Sequence, residues 1–217
     1  QLRAICQRCY LAGFQVETHC IGDSANRLML HIYKDILQTK NDRRWRIEHA
    51  QIVDPDDFRL FGEYHIIPSV QTTHATSDMR WAADRVGPVR IKNAYAYKTL
   101  LKQNGWLPNG SDFPIEHINP LFGFFAGFAR MDQSGYPAGG WMMENALTRE
   151  ECLKAMTIWA ARSCFEEKER GSIEPGKMAD FVQLDEDIMK CEPLIVPQTH
   201  VLGTWISGEQ VFDIHKK

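Results

Sequence analysis

The chain has 217 residues, enough for one large domain or two small ones. Its 44% hydrophobic content is that of a packed globular protein, and a net charge of −3 gives no reason to expect nucleic acid or an anionic membrane as partner. No apolar run approaches the ~20 residues that cross a bilayer.

The first residues, Gln1-Leu2-Arg3-Ala4-Ile5-Cys6, have neither an initiating Met nor the charged-then-apolar layout of a secretion signal, and read as the inside of a helix. Leu2, Ile5, Cys6, Cys9 and Tyr10 keep helical spacing up to the stop at Gly13. Phe14 to His19 then alternates as a strand does. Asp23 or Ser24 is placed to cap a helix running to about Lys40, with Leu28, Ile32, Ile36 and Leu37 as its apolar stripe. Trp45 to His49 reads as a second strand and Asp54-Pro55 opens a second helix, ending near Gly62. Tyr64 to Val70 is a third strand, and residues 71–88 read as a long polar loop. A helix with Ala94, Tyr97, Leu100 and Leu101 leads to a fourth strand closing on Gly110-Ser111-Asp112-Phe113-Pro114. Pro120 starts another apolar helix, and Thr148 with Glu151 has the capping-box pattern at the head of a helix to Cys164. Strand-helix units in series predict a parallel sheet with helical crossovers.

Past Cys164, the stretch Glu166 to Arg170 is a charged, solvated connection with no further role assigned. Ala179 to Leu184, Val201 to Ile206 and Gln210 to Phe212 are short strands, the last two joined by a tight turn at Ser207-Gly208-Glu209. Cys6, Cys9, Cys20, Cys152, Cys164 and Cys191 form no zinc-type double pair, and reduced thiols point to a reducing compartment such as the cytoplasm.

His19, His49 and Asp112 end the first, second and fourth strands, and a parallel barrel gathers such ends on one face. Two imidazoles and a carboxylate are a normal donor set for a borderline metal, zinc first. Zinc would lower the pKa of bound water to about 7, and Asp112 could take that proton and return it to a leaving amine. Pattern alone leaves this open beside the plainer reading of satisfied polar residues at strand ends. Strand alternation groups His49 with Ile47 and Trp45, and predicts that Arg46 and Glu48 point at the helical layer.

Four stretches, His19-Cys20-Ile21-Gly22-Asp23, Arg46-Ile47-Glu48-His49-Ala50-Gln51, Thr73-His74-Ala75-Thr76-Ser77-Asp78 and Gly110-Ser111-Asp112-Phe113-Pro114, resemble motifs of the amidohydrolase superfamily. More narrowly they resemble its amidohydrolase-3 branch, of YtcJ-like and N-substituted-formamide-deformylase-like proteins. Gly171 to Asp180 resembles the entry to that family's small β domain. The resemblance implies an α/β fold, the C-terminal half of a metal-dependent-hydrolase (β/α)8 barrel followed by part of a small β-sandwich. Residues 1–165 would be strands 5–8 of the barrel with their helices, and residues 166–217 the C-terminal portion of the β domain. It implies His19, His49 and Asp112 as ligands of a divalent metal, one ion or two, with Asp112 also the proton shuttle. His74 would contact substrate, and Asp78 and Trp81 would hold the shape of its loop. The first-strand His-x-His and the fourth-strand Lys or Glu have no match here, so the resemblance implies a C-terminal part, whose open strand edges favour association into a homo-oligomer. The expected activity is hydrolysis of a carbon–nitrogen bond, an amide or N-formyl group, in a small molecule. The alternatives are an inactive scaffold that binds a partner, and a barrel enzyme that deaminates a ring or opens a cyclic amide.

Overall fold

The computed structural model describes residues 1–216; Lys217, the last residue of the expected β domain, lies outside them. Helix α1 (Leu2–Leu11) stops where the Ala12 N–H returns to the Arg8 carbonyl and Gly13 takes a φ of 79°. Strand β1 (Glu17–Cys20) leads into α2 (Asp23–Leu37), whose buried stripe includes Met29, Tyr33 and Ile36. Its N-cap is Gly22 and not Asp23, whose carboxylate instead accepts from the Ser24 N–H. Strands β2 (Arg46–His49) and β3 (Ile67–Ser69) flank α3 (Phe58–Glu63), and the three strands form a parallel sheet in the order β1-β2-β3.

Residues 71–88 are not the expected polar loop, because they contain α4 (Thr72–Asp78) and most of α5 (Ala82–Arg90), the latter kinked at Gly87 ahead of Pro88. The start of α4 is satisfied from a distance, the Asn109 side chain accepting the Thr72 N–H at 2.9 Å. Helix α6 (Tyr97–Asn104) ends on left-handed Gly105. The expected fourth strand is reduced to one parallel bridge between Val70 and Asn109, in which the Gly110 N–H donates to Val70 and the Val70 N–H to Pro108. Pro108 has no N–H to give, which limits the ladder.

Helix α7 (Pro120–Ala129) is capped by Asn119, and α8 (Arg149–Met156) by the expected capping box of Thr148 and Glu151. The single helix expected to Cys164 breaks at Thr157, whose φ of −126° and ψ of −98° are not helical, and resumes as α9 (Ile158–Ser163). Strands β4 (Phe181–Leu184), β5 (Val201–Ile206) and β6 (Glu209–Asp213) make a separate antiparallel sheet. The architecture is the α/β half barrel with an attached β element that the sequence predicts.

Arg46 and Glu48 do not point at the helical layer. The register pairs Glu17 with Arg46 and His19 with Glu48, which puts all four on one face. Arg46 bridges Glu17 and Glu48 there, and donates to the Ser163 carbonyl. The opposite face carries Thr18, bonded to Tyr33 of α2 at 2.7 Å, and just ahead of β2 Trp45, fully buried, packs edge-on against that same Tyr33.

The charged connection after α9 has a role after all. Glu167 grips the Arg44 guanidinium with both oxygens at 2.8 Å, and Arg44 lies over the Phe165 ring. That hydrogen-bonded guanidinium holds the Glu167 carboxyl down to about 2, against an ordinary 4.5. The unfolded chain therefore takes up this proton first as pH falls. The pair's contribution is complete above about pH 4.5 and is lost as pH falls through about 2. Glu167→Gln should flatten the pH dependence of the urea unfolding free energy across that window; an unchanged slope would show that Arg44 has no hold on Glu167.

Candidate metal centre

His19 and His49 sit at the C-terminal ends of adjacent parallel strands. Alternation alone would send His49 to the helical side with Ile47. The backbone prevents this, with φ of 75° at His49 and 43° at Ala50 turning the chain as β2 ends. The two imidazoles meet edge-on, ring centroids 4.4 Å apart. His74, on the first turn of α4, stacks on the other side of His49 at 5.5 Å. Asp112, also at positive φ (57°), brings a carboxylate oxygen to 3.7 Å from His74 Nε2.

Among the described residues, His49, His74 and Asp112 bring donor atoms that all lie within 4.8 Å of one another. His19, expected from the sequence as a ligand, touches this group through the His49 ring and is itself exposed. His74, expected at the substrate, stands inside the group. His49 and His74 are 7% and 8% exposed, while the Asp112 side chain is 37% exposed.

Two observations make this donor set fit a cation. His49 Nδ1 and His74 Nε2 are both buried and have no hydrogen-bond partner, a condition that costs about 1–3 kcal/mol per atom when nothing binds there. Burial, reinforced by the neighbouring His19 and His74, also lowers the His49 pKa below 6.5, so its ring is neutral at pH 7 with a lone pair to offer. Nitrogen and carboxylate donors suit zinc and similar borderline ions. Cys20, next to His19, is a sulfur donor turned away into the helical side, and burial raises its pKa to about 11.

Other residues hold this rim in place. Asn26, fully buried, puts its amide nitrogen within 3.0–3.3 Å of the carbonyls of Cys20, Ile21, Gly22 and Ile52, joining the segments that leave β1 and β2. Gln51 donates to Asp78 at 3.1 Å and to the Tyr95 hydroxyl at 3.0 Å, while that hydroxyl donates to Asp78 at 2.7 Å. Asp78 thus holds the shape of the His74 segment, as expected, by tying the end of α4 to the residue two past His49. Trp81, named with it, is half exposed. His117 accepts from the Asn119 N–H at 3.1 Å and packs on Phe122. Glu116 was not expected at all; its carboxylate accepts from Ser77 at 2.6 Å and lies 3.9 Å from His74. Its only sequence signal is an acidic residue shortly after Asp112.

The profile described as "Amidohydrolase family" matches residues 1–212. The chain is 36% identical over 204 residues to "Protein LONG AFTER FAR-RED 3" of Arabidopsis thaliana, a match covering 93% of this chain and 34% of that protein. It is 31% identical to "Putative amidohydrolase YtcJ" of Bacillus subtilis over 93% of this chain and 38% of the relative. To the "N-substituted formamide deformylase" of Arthrobacter pascens it is 24% identical, over 90% of this chain and 36% of the relative. An uncharacterized metal-dependent hydrolase from Pyrococcus horikoshii superposes with a TM-score of 0.76 and 28% identity, over 88% of this chain and 38% of that one. The chain therefore spans a little over a third of the length of the relatives it matches.

Replacing Asn26 tests the rim. Asn26→Ala takes the side-chain donor from the Cys20 and Ile52 carbonyls, while those of Ile21 and Gly22 keep backbone N–H donors, and should cost about 1–3 kcal/mol in urea denaturation. The same variant should weaken divalent-metal affinity in a competitive chelator titration; full affinity would show that the rim holds its shape without Asn26.

Proposed function

The chain belongs to the amidohydrolase family, and from that premise we propose that it carries the metal-holding and proton-handling residues of a hydrolase acting on a carbon–nitrogen bond. The bond is an amide or N-formyl group of a small molecule, a reading supported by the named activities of the amidohydrolase and formamide deformylase relatives. The observation that carries the proposal is the buried, unpartnered imidazole nitrogen of His49, in ring contact with His19 and grouped with the Asp112 carboxylate, with the equally unpartnered His74 nitrogen left to meet substrate.

His19 and His49 would hold the cation, zinc or a similar divalent ion, with Asp112 as the oxygen donor. When bound, such an ion polarises the scissile carbonyl and lowers the pKa of a coordinated water to about 7. The chain's own residues supply the rest. His49 remains neutral because burial disfavours its charged form. Asp112, partly open to solvent, would accept a proton on its carboxylate and return it to the departing amine nitrogen. His74 would hydrogen-bond the carbonyl oxygen of the substrate as charge builds on it. The left-handed backbone at His49 and Asp112 fits this reading, since strain of this kind collects at functional sites.

Metal content tests the ligand assignment. Purified protein loaded with zinc and desalted should retain metal that the His19→Ala/His49→Ala double variant loses; equal content in the two would remove both residues as ligands. For the reaction, the intact protein should release amine from a panel of N-acyl and N-formyl amines. Asp112→Asn should lower kcat by about 10²–10⁴. Retained turnover in that variant would end the proton-handling role, and no turnover on any substrate would favour a binding scaffold.

A further inference from the structure

A cavity of about 290 Å³ lies at the N-terminal ends of the parallel strands. Its walls include Asp42 and Arg44 ahead of β2, His65 ahead of β3, Trp106 just after α6, and Arg162 of α9. His19 and His49 stand at the C-terminal ends of β1 and β2, so the cavity and the metal centre are at opposite ends of the same sheet.

The charged groups at this cavity are not equally engaged. Arg44 is saturated: Asp42 accepts from its Nε at 2.9 Å, and Glu167 grips it with both oxygens at 2.8 Å. The second Asp42 oxygen also turns to Arg44, at 3.3 Å, so both acids are spent on one guanidinium. His65 is tied through Nδ1 to the Asn41 carbonyl at 3.1 Å. Arg162 differs. Its carbonyl accepts from Arg44, but among the described residues its guanidinium has no hydrogen-bond acceptor and no acid at ion-pair distance. It lies over the Trp106 ring, 4.5 Å from the centroid. Stacking uses the face of a guanidinium and leaves its N–H edge for a carboxylate or phosphate. Arg162 is exposed and Trp106 half-buried, so that edge is open to a ligand.

Size and the ring narrow the choice. About 150 Å³ accommodates benzene, and this cavity is roughly twice as large, enough for a fused bicycle with its polar group. Trp106 offers such a ring an aromatic partner. We propose that the cavity is a binding site for a planar bicyclic aromatic carboxylate, its carboxylate held by the N–H edge of Arg162 and its rings against Trp106. An amine of the same shape would meet a like charge at Arg162, and a saturated acid would lose the aromatic contact. The site does not rest on the hydrolase reading, because none of its residues belongs to the metal centre.

The test uses protein stripped of metal with chelator, so that no cation at the opposite end captures the carboxylate. 2-Naphthoate, 2-naphthylmethylamine and decahydro-2-naphthoate are titrated separately by calorimetry. 2-Naphthoate should bind saturably at one site, and the other two should bind at least about tenfold more weakly. Arg162→Gln should weaken 2-naphthoate about tenfold, the size of one lost charge-assisted pair, and Arg162→Lys should recover part of that loss. Trp106→Leu should weaken it about threefold to tenfold. The Trp106 indole N–H signal, identified by its loss in that variant, should shift on addition of 2-naphthoate in proton–nitrogen NMR spectra. Circular dichroism checks folding, and the exposed Arg162 position keeps the test open if Trp106→Leu unfolds. Absence of saturable 2-naphthoate binding, equal binding of the amine, or unchanged affinity in folded Arg162→Gln would each overturn the proposal. Amide hydrolysis without 2-naphthoate binding would refute this site alone, and 2-naphthoate binding without metal uptake or hydrolysis would refute the hydrolase reading alone.

Discussion

The site depends on how the second strand ends. Along β2, Arg46 and Glu48 face the polar side and Ile47 the helices, and simple continuation would bury His49 among the helical contacts. Two successive residues of positive φ, His49 and Ala50, turn the chain there and bring the imidazole against His19. Each such residue costs about 1–2 kcal/mol when it is not glycine. Contacts immediately downstream hold the turn. The Gln51 carbonyl accepts the Tyr95 N–H at 2.7 Å, and the Gln51 side chain is fixed between Asp78 and Tyr95.

Below the rim, the polar face of the half barrel is an ionic layer. Arg46, largely buried, is shared by Glu17 and Glu48 and anchored to the Ser163 carbonyl at the end of α9. Arg44 ties the same region to Glu167 in the connection that follows α9. Buried charges of this kind add little net stability over apolar packing, but removing one partner is expensive. Their effect here is to fix the strand register, and with it the height of the histidines. A third buried cation, Arg130, is held by aromatics and not by acids. Its guanidinium lies over Tyr97 and Trp141 and donates to the carbonyls of Trp141 and Tyr95. That bond to Tyr95 links α7 to the segment supporting Gln51.

Much of this was legible in the sequence wherever the signal was local. The alternation up to His19 and His49, the capping box at Thr148 and Glu151 and the tight turn at Ser207-Gly208 each declare themselves within a few residues. The failures share a cause, which is partners far away in the chain. Thr72 to Asp78 has no apolar periodicity and no cap of its own, so it reads as loop; its first N–H is satisfied by Asn109, 37 residues on. The outward aim expected of Arg46 fails because the alternation is anchored on His49, where the backbone has already left strand geometry. Glu167 read as solvated because its partner Arg44 lies 123 residues earlier. Glu116 beside His74 was invisible for the same reason.

Cys20 follows His19 directly, yet the pleat carries its sulfur to the helical side, where burial keeps it protonated far above neutral pH. A thiolate at that spot would give the rim a soft donor and would draw copper(I) or cadmium ahead of harder ions. Placing the sulfur one pleat away therefore leaves only nitrogen and oxygen donors at the rim. The same burial shields the thiol from peroxide, which scars exposed, ionised cysteines first.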